Sequence, residues 1–154
     1  MNINQLLAWA LPFAAALHVT EEFAAPGGFA RWYAAYRPDL AKSMTTPFFV
    51  RINALMIAAA IYCTYIDRTG RITWEWFMMA GIFISNAIFH IKGAVKTGNY
   101  CPGLCTSIFI YIPLGLTGIA VYLRAGQNPF ALTALLSGPI YHIYSQWDHK
   151  RRSA

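Results

Sequence analysis

The sequence predicts an all-α, polytopic integral membrane protein, a single helical bundle with about five transmembrane helices over residues 1–154. Its composition supports this, because 57% of the residues are hydrophobic and 12% are charged, against about 25% charged residues in soluble domains. The apolar residues also form long runs of the length, about 20 residues, that a helix needs to cross the hydrocarbon of a bilayer.

Five apolar windows have this length, at approximately residues 3–23, 48–66, 74–95, 104–123 and 130–147. The first has no Lys or Arg before its apolar core, which favours a retained span over a cleaved signal peptide. Between the first two, residues 24–47 combine aromatic and basic side chains, which suits either a segment at the membrane interface or a solvated loop. The fifth window contains Ser137-Gly138-Pro139, so a partly buried or re-entrant helix is the alternative to a complete span.

The chain carries twelve Lys and Arg against six Asp and Glu. These cations lie between apolar runs, so they indicate membrane topology and not nucleic-acid binding. With five spans and the N-terminus outside, nine cations fall on the inner side and three, Arg68, Arg71 and Arg124, on the outer side. Four spans would give an even split. The charges therefore predict an outer N-terminus and an inner C-terminus.

Polar residues are concentrated at the predicted inner end of each helix. On a helix, His18 shares a face with Glu21 and Glu22, and Asn86 shares a face with His90. We therefore expect one polar cavity open toward the cytoplasm. The residues expected at it are His18, Glu21, Glu22, Arg51, Asn53, Asn86, His90, Tyr100, His142 and Ser145. For individual members the alternatives are a hydrogen-bonded core histidine, an Arg51 anchor at the membrane boundary and asparagines that join helices.

Three short motifs resemble those of the HXXEE-domain family of small bacterial membrane proteins. They are His18-Val19-Thr20-Glu21-Glu22, Asn86-x-x-x-His90 and Tyr100-x-Pro102-Gly103, in that order and on hydrophobic spans. The resemblance covers most of the chain. It implies a polytopic membrane protein with a metal or catalytic site, and it does not specify the reaction. The expected location is the bacterial inner membrane.

The first interpretation of the polar residues is a metal site. Two imidazoles and a carboxylate suit zinc with an open position or non-haem iron. His18, Glu21 and His90 are the expected ligands, with His142 as a possible third imidazole. The three cysteines form no Cys-x-x-Cys pair and are expected to be reduced thiols.

Catalytic roles follow from this interpretation. Glu22 is the expected general base, and Asn86 or Tyr100 would orient a ligand or stabilise an oxyanion. Zinc would favour hydrolysis of a membrane-borne ester or amide, and iron would favour oxidation of a lipid-like substrate. The expected partner is an apolar small molecule that arrives through membrane lipid.

Two alternatives use the same residues without a metal. A buried glutamic acid can protonate an alkene while aromatic rings stabilise the cation, as in an isomerase or cyclase of sterol- or terpene-like substrates. Intramembrane glutamates also carry protons or bind cations in small transporters. Because Glu21 and Glu22 both reach the face of His18, the spacing does not separate their roles.

Overall fold

The computed structural model describes residues 2–24, 27–66 and 72–153, and it is all-α over these ranges. The helices are α1 (Ile3–Ala24), α2 (Gly28–Tyr36), α3 (Thr46–Ile66), α4 (Trp74–Thr97), α5 (Leu104–Arg124) and α6 (Ser137–Ser153). Short 3₁₀ helices cover Pro38–Leu40 and Pro129–Leu136. Arg68 and Arg71, which enter the predicted charge split, lie outside the described residues.

Among the described helices, α1, α3, α4 and α5 are long and apolar enough to cross a membrane. They coincide with the first four predicted spans, so the prediction of an all-α membrane bundle is confirmed. Polar groups join these helices inside the bundle. The Trp76 indole Nε1 donates to the Leu7 carbonyl at 3.1 Å, and the Thr64 hydroxyl donates to the Ala8 carbonyl at 2.8 Å. In lipid such bonds hold helices together, because the hydrocarbon offers these groups no other partner.

The fifth predicted window differs from a simple span, because a 3₁₀ helix in its first half gives way to α6 at Ser137. The segment runs along α4 in the same direction. The Ser137 hydroxyl donates to the Met78 carbonyl at 2.9 Å, Gly138 packs directly on Gly81, and further along the rings of Phe89 and His142 are parallel. The two glycines permit this approach because a side chain on either would overlap the opposing backbone.

Residues 27–45, between α1 and α3, are folded and cover one end of the bundle. Phe29 and Tyr33 of α2 are buried with Leu40 and Phe49 in a second apolar cluster, separate from the main core. This cluster lies beside the C-terminal end of α4, where the Phe29 ring centroid is 5.1 Å from that of His90. The cluster therefore shields the polar end of the bundle.

The helix α5 contains a π-helical turn at Ser107–Tyr111, directly before Ile112 and Pro113. Proline has no N–H, so it withdraws one donor from the helical ladder at this point. Such π turns occur often at functional sites. Here the turn contains Tyr111, whose ring stacks on the imidazole of His18 with centroids 4.5 Å apart.

Candidate metal centre

His18, Glu22 and His90 form a buried cluster where α1 meets α4. In that order, the three residues are 0%, 4% and 0% exposed. Glu22 Oε1 lies 3.4 Å from His18 Nε2 and 3.3 Å from His90 Nε2. Around a tetrahedral zinc with bonds of about 2.0–2.1 Å, neighbouring ligand atoms are about 3.3–3.4 Å apart. The two separations from Glu22 match that geometry and all three ligand atoms lie within 4.8 Å of one another, so the group could hold a metal ion.

The outer nitrogen of His18 has a fixed partner. His18 Nδ1 is 2.8 Å from the hydroxyl oxygen of Thr106, and that hydroxyl donates its own proton to the Gly103 carbonyl at 3.2 Å. The hydroxyl must therefore accept from Nδ1–H, which leaves a lone pair on His18 Nε2. The amide Nδ2 of Asn86 donates to this lone pair at 2.9 Å, which agrees with the same tautomer.

The outer nitrogen of His90 is held in a similar way by Cys101. Their Nδ1 and Sγ atoms are 3.1 Å apart, and the thiol donates to the Pro102 carbonyl at 3.7 Å. Burial raises the pKa of the Cys101 thiol well above its usual range, so the sulfur stays protonated and neutral. The direction of the bond between His90 Nδ1 and this sulfur depends on the imidazole tautomer. With the proton on Nδ1, the sulfur accepts and His90 Nε2 presents a lone pair to Glu22.

The Nε2 atoms of both imidazoles and a carboxylate oxygen lie close together at one buried point, where the Asn86 amide already bonds to His18 Nε2. His90 Nε2 has no hydrogen-bond partner among the described residues. The second oxygen of Glu22, Oε2, accepts from the Asn53 amide at 2.7 Å, which directs Oε1 toward the imidazoles. With the His90 proton on Nδ1, Glu22 Oε1 and His90 Nε2 face each other without a proton between them, an arrangement that a metal ion or a proton at this point would stabilise. Outward hydrogen bonds of this kind are what metal-ligating histidines usually make.

Glu21 has different surroundings, although it was expected to be the ligand. Its carboxylate receives hydrogen bonds from the turn that begins α5. Oε1 accepts from the Gly103 amide at 3.1 Å and the Cys105 amide at 2.9 Å, and Oε2 accepts from the Thr106 amide at 2.7 Å. The free amides at a helix N-terminus favour a carboxylate in this position.

The structure therefore groups Glu22 with His18 and His90, whereas the sequence interpretation names Glu21 as the carboxylate ligand. Glu22, four positions after His18, faces His90, whereas Glu21, three positions after His18, faces the start of α5. Tyr100, expected at the catalytic centre, donates its hydroxyl to Glu21 instead. Burial and this bond to Glu21 both raise the Tyr100 pKa.

Gly103 allows the turn to lie directly on the cluster. It has a φ of +93°, in the left-handed region that favours glycine. A Cβ at this position would lie 2.7 Å from His90 Cε1 and 2.8 Å from His18 Cε1. Gly103 is thus required both by its backbone conformation and by contact with the two imidazoles.

A cavity of about 250 Å³ adjoins the cluster and is bounded by α2, α3, α4 and α6. Glu22, Asn53 and Asn86 form its polar side, and His142 and Ser145 line it from α6. The remaining walls are mainly apolar, formed by Phe29, Tyr33, Met44, Phe48, Phe49, Ile52, Leu55, Met56, Ala59, Met79, Ile82, Phe89 and Tyr141, with Gln146 as a further polar residue.

Two predicted residues lie elsewhere than expected. His142 lines the cavity but does not belong to the His18, Glu22 and His90 group. Arg51 is exposed and does not line the cavity. It precedes Asn53 by two positions, which puts it on another face of α3.

Sequence reasoning missed several neighbours of the cluster. Cys101 and Thr106 hold the outer nitrogens of the histidines, and Tyr111 is sandwiched between His18 and Phe83. Cys101 lies inside the Tyr100-x-Pro102-Gly103 motif and could have been noticed there. Tyr111 carries no comparable signal, because a tyrosine in an apolar helix usually has a packing role.

Comparison with known proteins adds a family and no activity. A family model described as "Protein of unknown function with HXXEE motif" matches residues 9–117, more than two thirds of the chain. The matched range contains the complete His18, Glu22 and His90 cluster and the turn that surrounds it. No curated protein and no solved structure matches the chain. The chain belongs to the HXXEE family.

Proposed function

We propose that this protein is a membrane-embedded, metal-dependent enzyme that acts on an apolar or lipid-like substrate. The observation that carries the proposal is the close approach of His18 Nε2 and His90 Nε2 to Glu22 Oε1 at a buried point, with the Nδ1 atoms of both imidazoles bonded on the far side to Thr106 and Cys101. Such a donor set is typical of zinc or non-haem iron sites that keep a position for substrate.

His18, Glu22 and His90 would hold the metal. When bound there, zinc supplies a Lewis acid for hydrolysis of an ester or amide, and iron supplies a redox centre for oxidation. The separations of 3.3 and 3.4 Å between Glu22 Oε1 and the two imidazoles are compatible with a tetrahedral site of the kind that zinc occupies.

The chain's own residues would bind and orient the substrate. The apolar walls of the cavity exclude water, which strengthens the electrostatic interactions of the polar side. Asn53 fixes the Glu22 carboxylate, and Asn86 lies between His18 and the cavity, where its amide can bond to a substrate oxygen. A proton acceptor is also needed. The carboxylates of Glu21 and Glu22 are already hydrogen-bonded, so His142, which lines the cavity, is the side chain that can accept a proton.

The cellular location belongs to the same proposal. The distribution of Lys and Arg favours the cytoplasmic membrane of a bacterium, with the cluster near its inner face. A substrate would then reach the cavity from the inner leaflet.

A second candidate is an acid–base isomerase or cyclase without a metal. It is favoured by the aromatic rings around the cavity, including Phe29, Phe49 and Phe89, which can stabilise a developing carbocation. In that case a proton would occupy the point between Glu22 and the imidazoles.

Lipid turnover in the presence and absence of a chelator tests these candidates. The purified protein is reconstituted with a bacterial lipid extract, and the lipids are followed by mass spectrometry beside a His18→Ala control. The metal-dependent proposal predicts a lipid conversion that the chelator stops and that zinc or iron restores. Conversion that persists in the chelator would favour the acid–base candidate, whereas proton flux without any conversion would indicate a transporter.

A further inference from the structure

We infer that the cavity binds an uncharged, chain-like amphiphile that enters from lipid between α3 and α6 and bonds to His142 through its polar group. This inference depends on the proposed function in one respect, because it identifies the bound molecule with the substrate of the enzyme. Binding itself can be measured independently of metal content.

The charges of the cavity exclude an ionised head group. None of the residues found to line it is Lys or Arg, so a buried phosphate or carboxylate would have no cationic partner. Among the described residues that line it, Glu22 is the only formally charged one, and its oxygens face two imidazoles and Asn53. A metal ion at the cluster would also repel a cationic head group.

His142 provides the polar contact that such a molecule needs. Its Nε2 atom is buried and has no hydrogen-bond partner within the described ranges, although the residue lines the cavity. The Phe89 ring is parallel to the imidazole, with a 10° interplanar angle, and keeps its orientation. A neutral imidazole offers one donor and one acceptor, so it suits a hydroxyl or an amide. Buried polar atoms normally have a partner, and here a ligand would supply it.

The shape of the cavity indicates lateral entry. Leu55 lines it yet is 66% exposed, and it lies in the middle of α3, where hydrocarbon surrounds a spanning helix. At one end α3 and α6 meet through the Phe48 and His149 rings, whose centroids are 4.6 Å apart. The opening near Leu55 therefore faces lipid, and the walls beside it, including Met56 and Met79, are flexible enough to accommodate an alkyl chain.

Photolabelling in lipid nanodiscs tests this inference with three probes of one chain length. They are a hexadecanol, a hexadecanesulfonic acid, which is ionised at any pH used, and a hexadecyltrimethylammonium, each with a diazirine in the chain. At pH 8 we expect the alcohol to label α3 and α6 beside the cavity about tenfold more than either ion does. Comparable labelling by the acid would overturn the inference. Stronger labelling by the cation would also overturn it and would point to pairing with Glu22.

A variant tests the role of His142 directly. His142→Phe keeps a ring beside Phe89 but removes the polar nitrogen, so labelling by the alcohol should fall about tenfold. Labelling by a diazirine-bearing hexadecane should not change. Tyr144→Phe is the matched control, because it removes a hydroxyl from an exposed position on the same helix outside the cavity. Unchanged alcohol labelling in His142→Phe would contradict the inference.

Metal content of the same preparations separates this inference from the proposed function. His142→Phe should retain as much metal as the unmodified protein, since His142 lies outside the cluster. If the protein holds no metal but still prefers the alcohol, the inference stands and the metal-dependent proposal fails. Should His142→Phe not fold, the comparison of the three probes on the unmodified chain still decides the matter.

Discussion

At the residue scale, the two adjacent glutamates of the motif hold different parts of the site together. Glu22 faces the imidazoles, whereas Glu21 binds the backbone at the start of α5. That backbone contacts both histidines through Gly103. Glu21 therefore helps to position the two imidazoles and does not belong to the His18, Glu22 and His90 group.

Substitutions of the two glutamates should have distinct effects. Glu22→Gln should abolish stoichiometric metal binding, because a neutral amide replaces the only carboxylate of the cluster. Glu21→Gln should keep the metal at saturation but bind it roughly 10- to 100-fold more weakly, the usual cost of losing an outer-shell partner. It should also lower the free energy of unfolding by about 1–2 kcal/mol. Metal titration and thermal unfolding in detergent measure both effects, and equal metal loss in the two variants would contradict the assignment.

A pair of glycines tests whether the α5 turn supports the cluster. Gly98 and Gly103 both have positive φ angles, but only at Gly103 would a Cβ meet the imidazoles. Gly98→Ala should lower stability by about 1 kcal/mol through backbone strain and leave metal affinity intact. Gly103→Ala should carry the same strain and also reduce metal affinity, because His18 and His90 must move. Equal affinities in isothermal titration would show that the turn does not press on the ligands.

The residues near the cluster could be predicted from sequence because helical spacing determines which side chains share a face. His18 with Glu22, and Asn86 with His90, follow from that rule. The choice between Glu21 and Glu22 could not be predicted, because it depends on where the turn at Gly103 lies relative to α1. Cys101 was likewise assigned no role at the site, since its contact with His90 arises only when this turn folds back on α4.

At the element scale, the turn that begins α5 gives different surroundings to Cys101 and Cys105, which are four positions apart in sequence. Cys105 is exposed, whereas Cys101 is buried behind His90. Burial also raises the Cys101 pKa, so little reactive thiolate forms there.

This difference predicts the order of thiol labelling. In the folded protein, maleimide should react with Cys105 within minutes and leave Cys101 unmodified from pH 7 to pH 9. Denaturation should expose Cys101, and a Cys101→Ser variant identifies its peptide by mass spectrometry. Rapid modification of Cys101 under native conditions would mean that the turn does not cover His90.

The path of α6 shows why one element was harder to predict than the others. Hydropathy finds α1, α3, α4 and α5, because a helix in lipid must satisfy its own backbone and present apolar side chains. The change from 3₁₀ to α-helix at Ser137 depends instead on contact between Gly138 and Gly81, which are remote in sequence. A single window of sequence contains only one of these glycines.

At the scale of the whole molecule, the fifth segment determines whether the two ends of the chain lie on one side of the membrane. It follows α4 from Met78 to Phe89, and His149 meets Phe48 near the start of α3. This path favours a fifth crossing. The arrangement of Lys and Arg favours it as well, since a fifth crossing brings the basic C-terminus inside.

Reporter fusions test this topology. A green fluorescent protein at the C-terminus should fluoresce, because it folds on the cytoplasmic side, whereas alkaline phosphatase there should be inactive. A short N-terminal tag should be digested by protease added to intact spheroplasts. A protected N-terminal tag together with a fluorescent C-terminus would place both ends inside and exclude five spans.

The most direct test of the central claim is the metal content of the protein. Inductively coupled plasma mass spectrometry is applied to detergent-purified protein produced with zinc and iron in the medium, beside His18→Ala, His90→Ala and Tyr144→Phe variants. The site predicts about one zinc or iron per chain, retained in Tyr144→Phe and lost in both histidine variants. A folded, unmodified protein with no stoichiometric metal, or with metal that survives both histidine substitutions, would contradict the account.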